Sequence, residues 1–225
     1  MKRKSNTDSR RRNAPENSRG FAARLANIGR EFHGRGWALG TSGNYSVVLR
    51  REPTKLLITS SGLDKSALTT RDFLEVDAHG QVLAGDGKPS AETFLHLAVS
   101  QARELGCILH THSVWNTLLS ERYCAKGGFA ITGYEMLKGL EGVRTHKHRE
   151  WIPIFENSQD IRVLAEKVSE VLRQDGNAHG FLLGGHGLYT WGADTAHARR
   201  HVEILEFLFA VVGRREFGAA AALNE

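Results

Sequence analysis

Phe21, Leu25, Ile28 and Phe32 recur at three- and four-residue spacing, which predicts a helix with one buried face. Gly34 and Gly36 end that pattern. Residues 41–49 then read as a strand, and residues 55–59 as a second. A charged stretch containing Phe73, Leu74 and Val76 leads into a helix over about 91–105, with Phe94, Leu97, Ala98 and Leu105 on one side. The apolar run from Cys107 to Leu109 is a strand by length, and residues 113–120 follow as a helix. Residues 129–131 form a short strand, 134–138 a helical turn and 151–155 an extended segment. Ile161, Leu164, Val168 and Val171 mark a helix that Asn157 or Ser158 can cap. Residues 181–183 and 188–191 pair as strands, and Ala198, Val202, Leu205, Phe209 and Val212 mark a long final helix. Strands and helices mix without a strict βαβ alternation. The expected fold is therefore α/β, a three-layer α/β/α sandwich around a mixed, largely antiparallel sheet.

The strand at Cys107 ends in His110-Thr111-His112. Side chains two apart on a strand point the same way, so both imidazoles can reach one metal ion. Two groups can complete the coordination. His186 stands among glycines in Gly184-Gly185-His186-Gly187, after the apolar run Phe181-Leu182-Leu183, and offers a third imidazole. Glu92, in Pro89-Ser90-Ala91-Glu92, opens the helix that leads into the His110 strand and can serve as ligand, acid/base or both. The remaining histidines carry no comparable pattern. His197 and His201 are four apart on a helix without an HExxH partner and read as surface residues, while His33, His79, His96, His146, His148 and His179 have no partner spacing.

Two polar loops between strands suit an anion. Ser42-Gly43-Asn44 and Ser60-Ser61-Gly62 offer hydroxyls, and their glycines let backbone N–H groups converge on phosphate oxygens. Together with Ser90 and a metal site downstream, they point to a phosphorylated sugar.

The charge of the chain changes little in this picture. Residues 1–20 hold seven Lys/Arg against two Asp/Glu, a net +5 equal to that of the whole chain, so residues 21–225 balance at 23 against 23. The high isoelectric point belongs to that segment, which is too polar to fold and reads as a disordered basic tail ahead of a single catalytic domain at 21–225. A balanced body gives no reason to expect nucleic acid as a partner. No apolar run follows the basic residues as in a secretory signal, and none reaches the ~20 residues needed to span a bilayer. Cys107 and Cys124 have no framework spacing and read as core or near-core residues of a reduced, cytoplasmic protein.

Taken in order, Ser42-Gly43-Asn44, Ser60-Ser61-Gly62, Pro89-Ser90-Ala91-Glu92, His110-Thr111-His112 and Gly185-His186-Gly187 resemble the class II aldolase/adducin superfamily over about residues 20–215. The segment Ile131-Thr132-Gly133-Tyr134-Glu135-Met136-Leu137-Lys138-Gly139-Leu140 most resembles the branch that dehydrates a methylthio-substituted pentulose 1-phosphate in methionine salvage. The resemblance implies one zinc per subunit held by His110, His112 and His186, and a homotetramer with active sites at subunit boundaries. It also implies that Glu135 is the acid/base of a dehydratase, whereas the glutamate matching Glu92 has that role in the sugar-phosphate aldolases. Tyr134, Lys138, the 144–149 stretch and Lys65 could contact phosphate or a neighbouring subunit. Two alternatives stand beside dehydration: an aldolase or epimerase acting on another sugar phosphate, and a non-catalytic adducin-like assembly module.

Overall fold

Nine strands hydrogen-bond into one sheet in the order β4-β3-β2-β1-β5-β9-β8-β7-β6. They are β1 (Asn44–Arg50), β2 (Lys55–Thr59), β3 (Phe73–Asp77), β4 (Val82–Ala84), β5 (Cys107–Thr111), β6 (Gly128–Ile131), β7 (Glu150–Phe155), β8 (Gly180–Leu183) and β9 (Gly187–Gly192). The computed structural model describes residues 17–221; residues 1–16, most of the predicted basic tail, and 222–225 lie outside the described residues. Five helices complete the fold: α1 (Ser18–Gly34), α2 (Thr93–Ala102), α3 (Val114–Tyr123), α4 (Ile161–Gln174) and α5 (Thr195–Ala221).

Every neighbouring pair is antiparallel except β7 and β8. The exception has a plain cause, because α4 carries the chain back across the sheet between those two strands, and such a crossover returns a strand in the same direction. The mixed, largely antiparallel sheet expected from the pattern is thus present. Its two faces are covered separately. Tyr45, Val47, Leu57 and Leu109 pack against Leu25, Ile28 and Phe32 of α1 and Val202 of α5. Ile108, Phe181, Leu183 and Trp191 face Leu95 and Val99 of α2 and Leu164, Val168 and Leu172 of α4 on the other side. Farther along, Phe129, Ile152, Leu182 and Leu188 meet Leu119 of α3 and Leu205, Leu208 and Phe209 of α5. This is the three-layer sandwich.

Several local expectations are corrected. Helix α1 takes in the last three residues assigned to the tail, because the Asn17 side chain accepts the Gly20 N–H and caps the helix there. The strand expected from residue 41 begins at Asn44, after Gly43 turns the chain at a φ of 77°. Strand β4 was not apparent in the pattern; all three of its residues are exposed at the sheet edge. Asp160, rather than Asn157 or Ser158, caps α4 by accepting the Val163 N–H. His201 is not a surface residue but 2% exposed. It lies on the α5 face that covers β9, where its Nδ1–H donates to the Trp191 carbonyl at 2.7 Å and its Nε2 accepts the Glu141 N–H at 3.1 Å. His197, one turn earlier, does face solvent and pairs with Asp194.

Candidate metal centre and anion cleft

Three central strands bring the chemistry to one end of the sheet. Register pairs Asn44 at the start of β1 with His110 near the end of β5, and Thr111 with Leu188 of β9 just past the His186 turn. His110 is completely buried, and its ring stacks on Tyr189 at 3.9 Å between centroids. Tyr189 in turn stacks on Phe181 at 4.9 Å. His112 follows at the strand end, and His186 sits in the turn between β8 and β9. Gly187 permits this approach, since a Cβ there would lie 2.4 Å from the Thr111 carbonyl oxygen and 2.9 Å from the His110 ring.

The ligating atoms of His110, His112 and His186 lie within 4.8 Å of one another. The Nδ1 of His110 is 2.9 Å from the Leu188 carbonyl oxygen, and that of His186 is 3.2 Å from the amide oxygen of Asn157. Both Nδ1 atoms therefore carry the proton, and both Nε2 lone pairs point inward. The Nε2 of His112 lies 2.8 Å from that of His110. Two acceptor nitrogens at that distance repel unless a proton or a cation stands between them. Three convergent imidazoles, two of them held by outward Nδ1–H bonds, are the donor set of a metal such as zinc, so the residues present fit one.

Burial pushes the His110 imidazole well below its ordinary range, and burial together with the neighbouring His186 brings His112 down to about 4. Both are neutral donors at neutral pH. Glu92 completes the group, with Oε1 3.1 Å from Nε2 of His186 and 3.8 Å from Nε2 of His110. Burial opposes its ionisation, but its contact with His186, the positive charge that His110 and His186 take up when protonated and the Asn44 amide together hold its carboxyl well below the usual carboxylate range.

Beside these groups lies a polar cleft. Ser42, Gly43, Asn44, Ser60, Ser61, Gly62 and Ser90 line one cavity with Lys65, Glu92 and His112, so the loops singled out in the sequence meet at the histidines. Lys65 is only 1% exposed, and its ammonium donates to the carbonyls of Thr41 at 3.0 Å and Leu63 at 2.7 Å. The burial that encloses it lowers its pKa, against the opposing charges of Asp64 and Glu92.

Glu135 is placed differently. It opens a 3-10 turn at Glu135–Gly139, its side chain is 71% exposed, and it pairs with Lys138, with His146 Nδ1 3.8 Å away. It is not among the residues lining the cleft. Tyr134 accepts a hydrogen bond from Arg215. Two residues with roles at the centre carried no sequence signal of their own. Asn157 orients His186, and His96 touches Asn44 from the interior.

The comparisons agree with this geometry. The family model for the class II aldolase and adducin N-terminal domain matches residues 23–212. The chain is 42% identical over 189 residues to the methylthioribulose-1-phosphate dehydratase of Marinobacter nauticus, covering 84% of this chain and 90% of that one. It is 48% identical over 177 residues to the protein of the same name from Pectobacterium atrosepticum, covering 78% and 84%. Among solved structures, an L-fuculose-1-phosphate aldolase from Thermus thermophilus superposes with a TM-score of 0.69 at 22% identity, covering 87% of this chain and 95% of that one. An aldolase II superfamily protein from Pseudomonas syringae gives 0.71 at 20% identity, covering 91% and 77%. At such identities these two structures speak for the fold alone.

Proposed function

The chain belongs to the class II aldolase and adducin N-terminal domain family and, within it, to the methylthioribulose-1-phosphate dehydratases, which are lyases; we propose that it removes water from 5-methylthioribulose 1-phosphate to give 2,3-diketo-5-methylthiopentyl 1-phosphate, a cytoplasmic step of methionine salvage. The observation that carries the reading is the meeting of three inward-facing imidazoles with a serine-, glycine- and lysine-lined cleft, in a chain so similar to proteins of that name.

His110, His112 and His186 hold the metal, which we take to be one zinc per subunit. Bound there, zinc supplies the Lewis acidity that makes the C3 hydrogen of a 2-keto sugar easier to remove. Ser42, Gly43, Asn44, Ser60, Ser61, Gly62 and Ser90 bind the phosphate, with the Lys65 ammonium at the floor of their cleft. Glu135 takes the C3 proton and returns it to the C4 hydroxyl, which leaves as water; the resulting enol tautomerises to the diketone. Glu92 orients the ligand set and the substrate beside it. Because Glu135 is exposed and outside the cleft of its own chain, the reading that fits is a site completed at the boundary between subunits of a homotetramer.

Incubating the metal-loaded protein with 5-methylthioribulose 1-phosphate and weighing the product tests this. The expected change is loss of one water, abolished in Glu135→Gln. A second reading rests on Glu92, which stands against two of the three histidines where an aldolase would keep its acid/base. Intact substrate, with another ketose phosphate cleaved to dihydroxyacetone phosphate in a reaction that needs Glu92, would replace the dehydratase reading with that one.

A further inference from the structure

Helix α2 places His96 one turn beyond Glu92, on the face turned toward β1 and β9. The ring is fully buried. Its Nδ1 lies 2.7 Å from the Ser46 hydroxyl, its Nε2 touches the amide oxygen of Asn44, and its edge packs on Tyr189, the ring that also supports His110. The far side of the Asn44 amide, Nδ2, donates to Oε2 of Glu92.

These contacts have a single consistent polarity. A carboxylate only accepts, so the side of the Asn44 amide that meets Glu92 must be the NH2 group. The amide oxygen then faces His96, which must present Nε2–H to it, and Nδ1, left with a lone pair, accepts the Ser46 hydroxyl. Were the amide turned over, His96 could follow by changing tautomer, but the amide oxygen would still meet the Glu92 carboxylate, a repulsion in a buried site. The run Ser46, His96, Asn44, Glu92 ends with Glu92 Oε1 facing His186 and His110.

We propose that His96 is a positioning residue: its Nε2–H fixes the orientation of the Asn44 carboxamide, which delivers Nδ2 to Glu92 and holds that carboxylate toward the three histidines. The inference rests on the functional reading above only in taking Asn44 and Glu92 as working members of the site. His96 touches neither substrate nor the three histidines; its hydrogen-bonded route to the site runs through Asn44, beside the packing contact with Tyr189. Burial brings its imidazole down to about 4, which keeps it neutral and able to hold one proton on one nitrogen.

The test uses the metal-loaded enzyme with His96→Leu, His96→Gln, Asn44→Ala and the double variant His96→Leu/Asn44→Ala. In nitrogen NMR of the wild type, His96 carries its proton on Nε2 and the Asn44 NH2 is protected from solvent exchange. In His96→Leu that protection is lost, bound metal stays at the wild-type level, and kcat falls on the order of tenfold with KM little changed, the scale of one net hydrogen bond. His96→Gln keeps a donor facing Asn44 and recovers most of kcat. In the Asn44→Ala background, removing His96 lowers kcat no further, because the residue it acts through is gone. A proton on Nδ1, equal losses in the Leu and Gln variants, losses that multiply in the double variant, or metal released by His96→Leu would each overturn the proposal. Should His96→Leu not fold, the wild-type tautomer and the recovery in His96→Gln decide. If the wild type does not dehydrate the ketose phosphate, the functional reading fails, while the tautomer, the amide protection and the metal content still judge His96.

Discussion

Glu206 offers a quantitative test of how the strand bearing His110 is held. This carboxylate on α5 is buried under the sheet, where Oε1 accepts from the Thr111 hydroxyl at 3.0 Å and from the Asn116 amide at 3.1 Å. Thr111 ends β5 between His110 and His112, and Asn116 forms the capping box of α3 with Ser113. Burial raises the Glu206 carboxyl from its ordinary 4.5 to about 7, against the lowering by hydrogen bonds from Ser113, Thr111 and Asn116. A carboxyl whose folded pKa is raised contributes stability that is fully present below pH 4.5 and lost as pH climbs through 7. Raising the carboxyl from 4.5 to about 7, at ~1.4 kcal/mol for each pH unit between, amounts to roughly 3 to 4 kcal/mol, a small part of it already lost at pH 5. Glu206→Gln keeps an amide oxygen for Thr111 and Asn116 but cannot ionise. Urea unfolding of both proteins from pH 5 to pH 9 isolates this group, because the histidines titrate alike in each and cancel in the difference. The variant should be equal or slightly weaker at pH 5 and should gain on the wild type by up to about 3 kcal/mol by pH 9. Parallel stability curves, with a difference constant to within about 0.5 kcal/mol, would refute the argument that burial holds a proton on Glu206 near neutrality.

Two further outcomes follow from the geometry of the site. If Glu135 serves the centre of a neighbouring subunit, inactive Glu135→Gln and inactive His110→Ala proteins should regain activity when unfolded and refolded together, since some sites in mixed tetramers then combine an intact ligand set with an intact Glu135. Homogeneous controls that stay inactive alongside an equally inactive mixture would place both residues in one chain's site. If the three imidazoles hold zinc, His112→Ala loaded with zinc should lose it on dialysis under conditions where the wild type keeps it, with wild-type far-UV circular dichroism, because His112 stands past the end of β5; retention of one zinc per chain would show that the metal sits elsewhere.

The sequence exposed what depends on local spacing and concealed what depends on partners brought from afar. His110 and His112 were legible because strand alternation alone sets them side by side, and Ser42-Gly43-Asn44 and Ser60-Ser61-Gly62 because hydroxyls and glycines announce polar turns. Their meeting in one cleft was not, since it needs the pairing of β1 with β5. His96 and His201 show the limit most clearly. Each is a histidine on a helix whose sequence neighbours give no reason to bury it, and each is buried because the sheet beneath supplies its partners: Asn44 and Ser46 for one, the Trp191 carbonyl for the other. Helical periodicity marks which side faces inward but does not reveal a polar residue whose hydrogen bonds wait on that side. Asn157 was expected to cap a helix, a role its residue type suits, and orients His186 because Asp160 lies closer to the first turn of α4.

The order of strands in the sheet also sets the timetable of the chain's assembly. Strand β5 lies between β1, made before it, and β9, made long after it. During synthesis β5 can pair with β1 as soon as both are available, yet its other edge stays open until the β8–β9 hairpin arrives with His186. A nascent chain therefore carries His110 and His112 on an unpaired strand edge while the segment from α3 to β8 is still being made. Closing that edge and bringing His186 to His110 and His112 are the same event, so the three imidazoles meet only in a sheet zipped through its middle.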